Sequence, residues 1–178
     1  MHLLRLSWWI LSAMACALAW QSPVQAQPPV AEHDMKAAYI FNFIQFVEWP
    51  IDSPGSAKDW SLCVSSFSPL VRPLHALHGK ELPNGQHVRV RLFDPGSALE
   101  CRVLVLQGAD LERIAQEPLL GRRGTLTLSD DPAALHIGVM IALAEQRGRI
   151  VFDVNNAAAA KAGLVISSRL LRLARSVQ

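Results

Sequence analysis

The chain is 178 residues long, with 17 lysines and arginines against 15 aspartates and glutamates and a net charge of +2 with histidine neutral. So even a balance excludes the basic footprint of a nucleic-acid-binding domain. The length provides for one domain with a real core.

Residues 1–26 do not read as part of that domain. A short, weakly basic start ends at Arg5, residues 6–20 are almost wholly apolar, and Val24-Gln25-Ala26 ends in a small residue suited to cleavage. This is the pattern of a secretory signal peptide, too short for a comfortable membrane span. An uncleaved anchor, or lipidation at Cys16, is the alternative. The expected domain is residues 27–178, exported. Its two cysteines, Cys63 and Cys101, form an even pair in an oxidising compartment, where a disulfide is expected. Closing the loop between them should stabilise the fold by about 4 kcal/mol in the chain-entropy model.

After a loose lead containing Pro28-Pro29, residues 35–50 (MKAAYIFNFIQFVEWP) form the densest aromatic run. The pattern predicts a helix capped by Asp34 and stopped by Pro50. At helical pitch its polar residues Asn42, Gln45 and Glu48 make one narrow stripe, with Lys36 well off it. The rest of the surface is apolar, so such a helix should be covered on more than one side. Residues 51–59 are turn chemistry, and 60–65 (WSLCVS) suit a buried first strand. A helix starting no earlier than Arg72 is expected to end at Gly79. Beyond the turn Pro83-Asn84-Gly85, residues 87–93 alternate as a half-exposed strand does.

Residues 94–99 read as a loop and 101–106 as a buried strand. A helix is expected from Asp110 to Leu119, stopped by Gly121, and a fourth strand over 125–128. Ser129-Asp130-Asp131-Pro132 signals another helix start. Residues 138–144 and 149–154 flank 145–148 as a hairpin. Asn155 should cap an alanine-rich helix ending at Gly163. Ser167 should cap a second, with Leu170, Leu171 and Ala174 inward and Arg169, Arg172 and Arg175 repeating outside. That basic stripe reads as a solvated face, or as a contact for anionic lipid or an acidic partner. The class is α/β: a three-layer sandwich whose mixed, mostly parallel sheet is closed by a C-terminal antiparallel hairpin.

Chemistry is harder to find. No Gly-x-Ser-x-Gly elbow, phosphate loop or Gly-x-Gly-x-x-Gly is present. His75 and His78 lie three apart on an expected helix, without further ligands nearby in sequence to complete a metal site. Asp130-Asp131 precedes a proline at a helix start, where acidic residues stabilise the helix dipole. Ser65, Ser66 and Ser68 follow the first strand, at the end where open α/β sheets bind ligands. No constellation argues for an enzyme, a metal or a cofactor.

Residues 37–43 (AAYIFNF) leading to Phe46-Val47-Glu48-Trp49-Pro50 resemble the opening signature of the YfiR-like exported proteins. Residues 149–155 (RIVFDVN) resemble that family's closing strand and Asn. Ala162-Gly163-Leu164 with residues 166–174 (ISSRLLRLA) resembles its C-terminal helix, and residues 138–141 match its hairpin strand loosely. The likeness runs from about residue 35 to 177.

It implies a periplasmic α/β domain without known catalysis. In the best understood members the domain restrains an inner-membrane diguanylate cyclase by binding that enzyme's periplasmic region, and release raises cyclic-di-GMP and favours biofilm formation. The resemblance further implies homodimers and a structural disulfide at Cys63 and Cys101. A second cysteine pair known in some members, near residues 135–142, is absent here. The candidate partner or dimer surface is Asn42, Gln45, Glu48, Trp49, Arg169, Arg172 and Arg175. The runner-up is a periplasmic small-ligand binder with its crevice after the first strand. A hydrolase using Ser66 and His75 comes third.

Overall fold

A computed structural model describes residues 31–51, 59–93, 100–108, 110 and 119–178. The expected signal peptide, the loop over 94–99 and most of the expected turn over 51–59 and helix over 110–119 lie outside the described residues.

The first helix, α1, spans Glu32–Gln45, and a two-residue strand, β1 (Val47–Glu48), follows it. Both ends depart from the sequence reading. Ala31 is the N-cap, with no side-chain capping bond, so Asp34 sits inside the first turn. There its charge favours the positive end of the helix dipole without capping it. The C-cap is Phe46, not Pro50. The chain leaves the helix early because Val47 and Glu48 pair antiparallel with Ile166 and Val165 of β8 (Val165–Ile166). A partner so distant in sequence is invisible to local periodicity. Lys36 is also inside, 5% exposed, with its ammonium 2.6 Å from Glu32 Oε1 one turn earlier.

The remaining elements are β2 (Asp59–Val64), α2 (Val71–His75), β3 (His87–Leu92), β4 (Val103–Leu106) and β5 (Leu126–Ser129). They are followed by a 3₁₀ turn (Pro132–Ile137), β6 (Ile141–Gln146), β7 (Arg149–Val154), α3 (Asn156–Lys161), α4 (Ser168–Leu171) and β9 (Ser176–Val177). Seven strands form one sheet in the order β3-β2-β4-β5-β6-β7-β9. Pairs from β3 to β6 are parallel, β6 and β7 are antiparallel, and β9 runs parallel to β7. The expected mixed, mostly parallel sheet with its closing hairpin is what the chain forms. The hairpin turn places Arg147 at φ 54° and Gly148 at φ 75°. Two successive positive φ angles give the twist that a tight hairpin requires.

Register assigns every strand residue to a face. Leu62 stands opposite Val103, Val103 opposite Leu126, Leu128 opposite Ile141, and Ile141 opposite Val154. These share one core with Ala37, Ile40, Phe43 and Ile44 of α1 and Leu74 of α2. The alternate residues Cys63 and Leu104 turn to the other face and join a smaller core with Cys101, Leu106, Leu119, Ala134 and Val139. Strands buried on both faces read as unbroken apolar runs, which is why CRVLVL was legible.

The caps at the C-terminal end follow expectation in part. Asn155 Oδ1 accepts from Ala158 N at 2.9 Å, and Ser167 Oγ accepts from Leu170 N at 3.3 Å. The second helix nevertheless stops at Leu171. Beyond it the chain is drawn onto the sheet edge, with Arg175 N donating to Phe152 O and Gln178 N to Val154 O, both at 2.8 Å.

Candidate interaction surface

Asn42 and Gln45 are exposed on the outer side of α1, and Glu48 is exposed in β1. All three are exposed, although only two share a helix. Pairing of β1 with β8 sets Glu48 opposite Val165, itself 57% exposed, and Ser167 N donates to Phe46 O at 2.9 Å. The aromatic opening and the C-terminal segment are therefore one connected piece of backbone. Arg169 and Arg172 continue outward from α4, Leu170 is buried beneath them, and Leu173 stands 68% exposed.

Arg175 does not continue that stripe. Its Nε donates to Asp153 Oδ1 at 3.0 Å, its Nη2 donates to Asp153 Oδ2, and Ser176 Oγ donates to Oδ1 at 2.7 Å. Asp153 is buried, and the Arg175 bond holds its carboxyl below the usual carboxylate range against the opposing effect of burial. The same bond raises Arg175 above the usual guanidinium value. A carboxylate inside an apolar strand needs such a partner. Asp153 within RIVFDV was the available signal; helical spacing did place Arg175 outside, where it is exposed, but it missed the pairing with Asp153 beyond the end of the helix.

Trp49 is half-buried and packs edge-to-face on Trp60, with ring centroids 4.7 Å apart. It turns toward the start of β2. Cys63 and Cys101 form a disulfide with Cα atoms 5.9 Å apart, and both residues are 1% exposed. Thr125 Oγ1 donates to Cys101 O at 3.0 Å, which ties β5 to the bridge. The bridge belongs to the smaller core and not to the exposed surface.

The groups singled out for chemistry take local structural roles. Ser65 Oγ accepts from Phe67 N, and Ser68 Oγ accepts from Leu70 N, shaping the turn after β2. His78 Nδ1 accepts from Val90 N at 3.2 Å and covers part of the β3 edge, while His75 is exposed. Asp131 Oδ1 caps the 3₁₀ turn through Ala133 N at 2.9 Å. Its neighbour Asp130 has a buried Oδ1 without a hydrogen-bond partner among the described residues. Burial pushes the Asp130 carboxyl up, opposed by the nearby charges of Lys36 and His33. Among the described residues no group of three or more His, Cys, Asp or Glu could hold a metal ion, and no helix is long and apolar enough to cross a membrane.

Comparison with known proteins agrees with the pattern of motifs. The sequence profile of the YfiR/HmsC-like family matches residues 33–175. A crystal structure titled as a conserved domain protein from Vibrio cholerae O1 biovar El Tor superposes with a TM-score of 0.54 at 12% identity. The superposition covers 83% of this chain and 60% of that one, a likeness of fold alone. No curated protein matches the sequence.

Proposed function

The chain belongs to the YfiR/HmsC-like family, and on that premise we propose that it is a periplasmic regulatory binding protein. It binds the periplasmic region of a membrane diguanylate cyclase and restrains it, so that release raises cyclic-di-GMP and favours biofilm formation. In this reading residues 1–26 are a cleaved signal peptide, residues 27–178 form the regulatory domain, and the working unit is a homodimer without catalytic activity of its own.

The observation that supports it best is the β1–β8 pairing. Through it the two most specific stretches of the sequence meet and leave Asn42, Gln45, Glu48, Arg169 and Arg172 exposed around one junction. Exposed as they are, these five side chains have no role in the core, and a mixture of carboxylate, amide and guanidinium groups is suited to the polar rim of a protein contact. Trp49 serves that junction from beneath, by fixing its position against Trp60.

The test is co-purification with a detergent-solubilised cyclase that retains its periplasmic region. Association at micromolar concentration is expected. The triple change Asn42→Ala, Gln45→Ala, Glu48→Ala should weaken it by about tenfold or more while leaving thermal unfolding unchanged. Absence of association from the unmutated protein would refute the function. Binding that survives the triple change would move the contact elsewhere on the surface.

A further inference from the structure

The outer flank of α1 and the turns that continue α2 enclose an open groove of about 350 Å³. Phe41 and Leu77, both half-buried, are its apolar sides, and the exposed Ala38 and Ala76 keep it wide. Asp34, Asn42 and Lys80 also line it, and all three are exposed. Asp34, Ala38 and Asn42 follow one another at intervals of four, so they form one row along α1.

The two charges stand apart along that row. The Lys80 ammonium lies 4.4 Å from the centre of the Phe41 ring, a cation–π contact that holds it over the groove. Phe41 is seven residues beyond Asp34 in α1, which is about 10 Å along the helix axis. Neither charge belongs to an ion pair among the described residues. The groove therefore has a negative end, an apolar middle walled by small residues, and a positive end.

We propose that the groove receives an amphipathic helix from the periplasmic region of the cyclase, with a basic residue at Asp34 and an acidic one at Lys80. This rests on the regulatory reading above and names the kind of segment that the partner presents. Backbone chemistry selects a helix. The amides of Leu77, His78 and Lys80 donate to the carbonyls of Leu74, His75 and Leu77, and the Lys80 carbonyl accepts from Val88 N. An extended peptide would find no strand edge there to pair with. A helix satisfies its own backbone and presents only side chains.

Size and charge limit what those side chains are. An apolar cavity of about 150 Å³ accepts benzene, so this groove takes two side chains of roughly that bulk. Charges spaced to meet Asp34 and Lys80, with two apolar anchors between them, fall at the i, i+3, i+4, i+7 positions of one helix face. The order of the charges fixes the direction of the helix. Asn42 lies both in the groove and in the surface proposed for the cyclase, so the two are continuous.

The test uses the exported domain and the detergent-solubilised cyclase. Ala76→Arg fills the groove from an exposed position, and Lys80→Glu reverses its positive end. Neither alters Asn42, Gln45 or Glu48. Each should weaken association by about tenfold or more with thermal unfolding unchanged, and the effect of Lys80→Glu should shrink as salt is raised. A benzophenone carried on Ala38→Cys should capture one segment of the cyclase, read by mass spectrometry as a stretch with a basic and an acidic residue about seven apart. Labelling is selective in this domain because Cys63 and Cys101 are bridged.

Association at full strength in both Ala76→Arg and Lys80→Glu would overturn the groove and leave the cyclase reading intact. Capture of a segment without that charge pair overturns it as well. So does a change from dimer to monomer in Ala76→Arg, seen by sedimentation, since the occupant is then a second copy of this chain. Absence of association from the unmutated domain refutes the cyclase reading and this assignment together, a pattern that no other outcome gives. If one variant fails to fold, the other still carries the comparison.

Discussion

The two faces of the sheet are held in different ways. The face under α1 is large and almost purely apolar; there Phe43 and Phe152 pack together inside the core, and the exposed Tyr39 closes the contact from its rim. The opposite face has a much smaller core, and its strength comes from directional links. Register puts Cys63, Leu104, Ala142 and Asp153 on that side. One end of it carries the disulfide to Cys101, and the other carries the Asp153–Arg175 pair. Apolar burial scales with area, so a small core gains little from it and benefits from fixed cross-links. The large face needs none.

The sharpest way to break that contrast is to remove Phe43. Its ring is 1% exposed, with its centroid 4.8 Å from Phe152 and 6.0 Å from Tyr39. Phe43→Ala should cost about 4–5 kcal/mol, the transfer term plus a cavity that two neighbouring rings only partly fill. Urea unfolding with the disulfide intact measures it. A loss below about 2 kcal/mol would mean that the aromatic contact is peripheral.

Next in size is the disulfide. Reduction, or the double change Cys63→Ala and Cys101→Ala, should destabilise by roughly 2–4 kcal/mol. Because the bridge lies in the smaller core, the same treatment should leave partner binding at the α1–β8 junction nearly unchanged. Free thiols in the air-oxidised protein, or an undiminished unfolding midpoint after reduction, would remove the covalent half of the contrast.

What was legible in the sequence divides along the same line. Short-range features were readable: continuous apolar runs for β2 and β4, alternation for β3, the hairpin turn at Arg147-Gly148, and the caps Asn155 and Ser167. The cysteine pair was readable because compartment and parity constrain it. Features made by distant partners were not. The end of α1 was placed at Pro50 because residues 46–49 continue the helical spacing, yet Val47 and Glu48 prefer a strand partner in β8. Arg175 fitted a three-residue repeat, yet Asp153 draws it to the sheet. Of the candidate surface, Asn42, Gln45, Glu48, Arg169, Arg172 and Arg175 all reach solvent, but Arg175 also pairs with the buried Asp153, and Trp49 is half-buried against Trp60. The Trp49–Trp60 packing had no sequence signal beyond the two tryptophans, since a ring contact between separate elements is not written in spacing.

The smallest effect concerns pH. Asp153 has its carboxyl lowered chiefly by the Arg175 hydrogen bond and further by Ser176, with burial opposing. The folded state therefore holds fewer protons at this group than the unfolded chain, whose carboxylate titrates near about 4. The stability it contributes is fully present above that value and is lost as pH falls below it, toward the lowered folded value. Arg175 remains charged throughout and adds no slope of its own. Its side chain is 41% exposed against 7% for Asp153, so solvent screens the pair from one side. A contribution of about 1–2 kcal/mol follows for a charge-assisted bond in that setting. Arg175→Ala should therefore lower stability at pH 7 by about that amount and flatten the profile between about pH 5 and 3. Asp153→Asn should flatten the same stretch, and the double variant should add little to either. If Arg175→Ala unfolds with a profile parallel to that of the unmodified chain, the charge pair is incidental, and the smaller face is held by its disulfide alone.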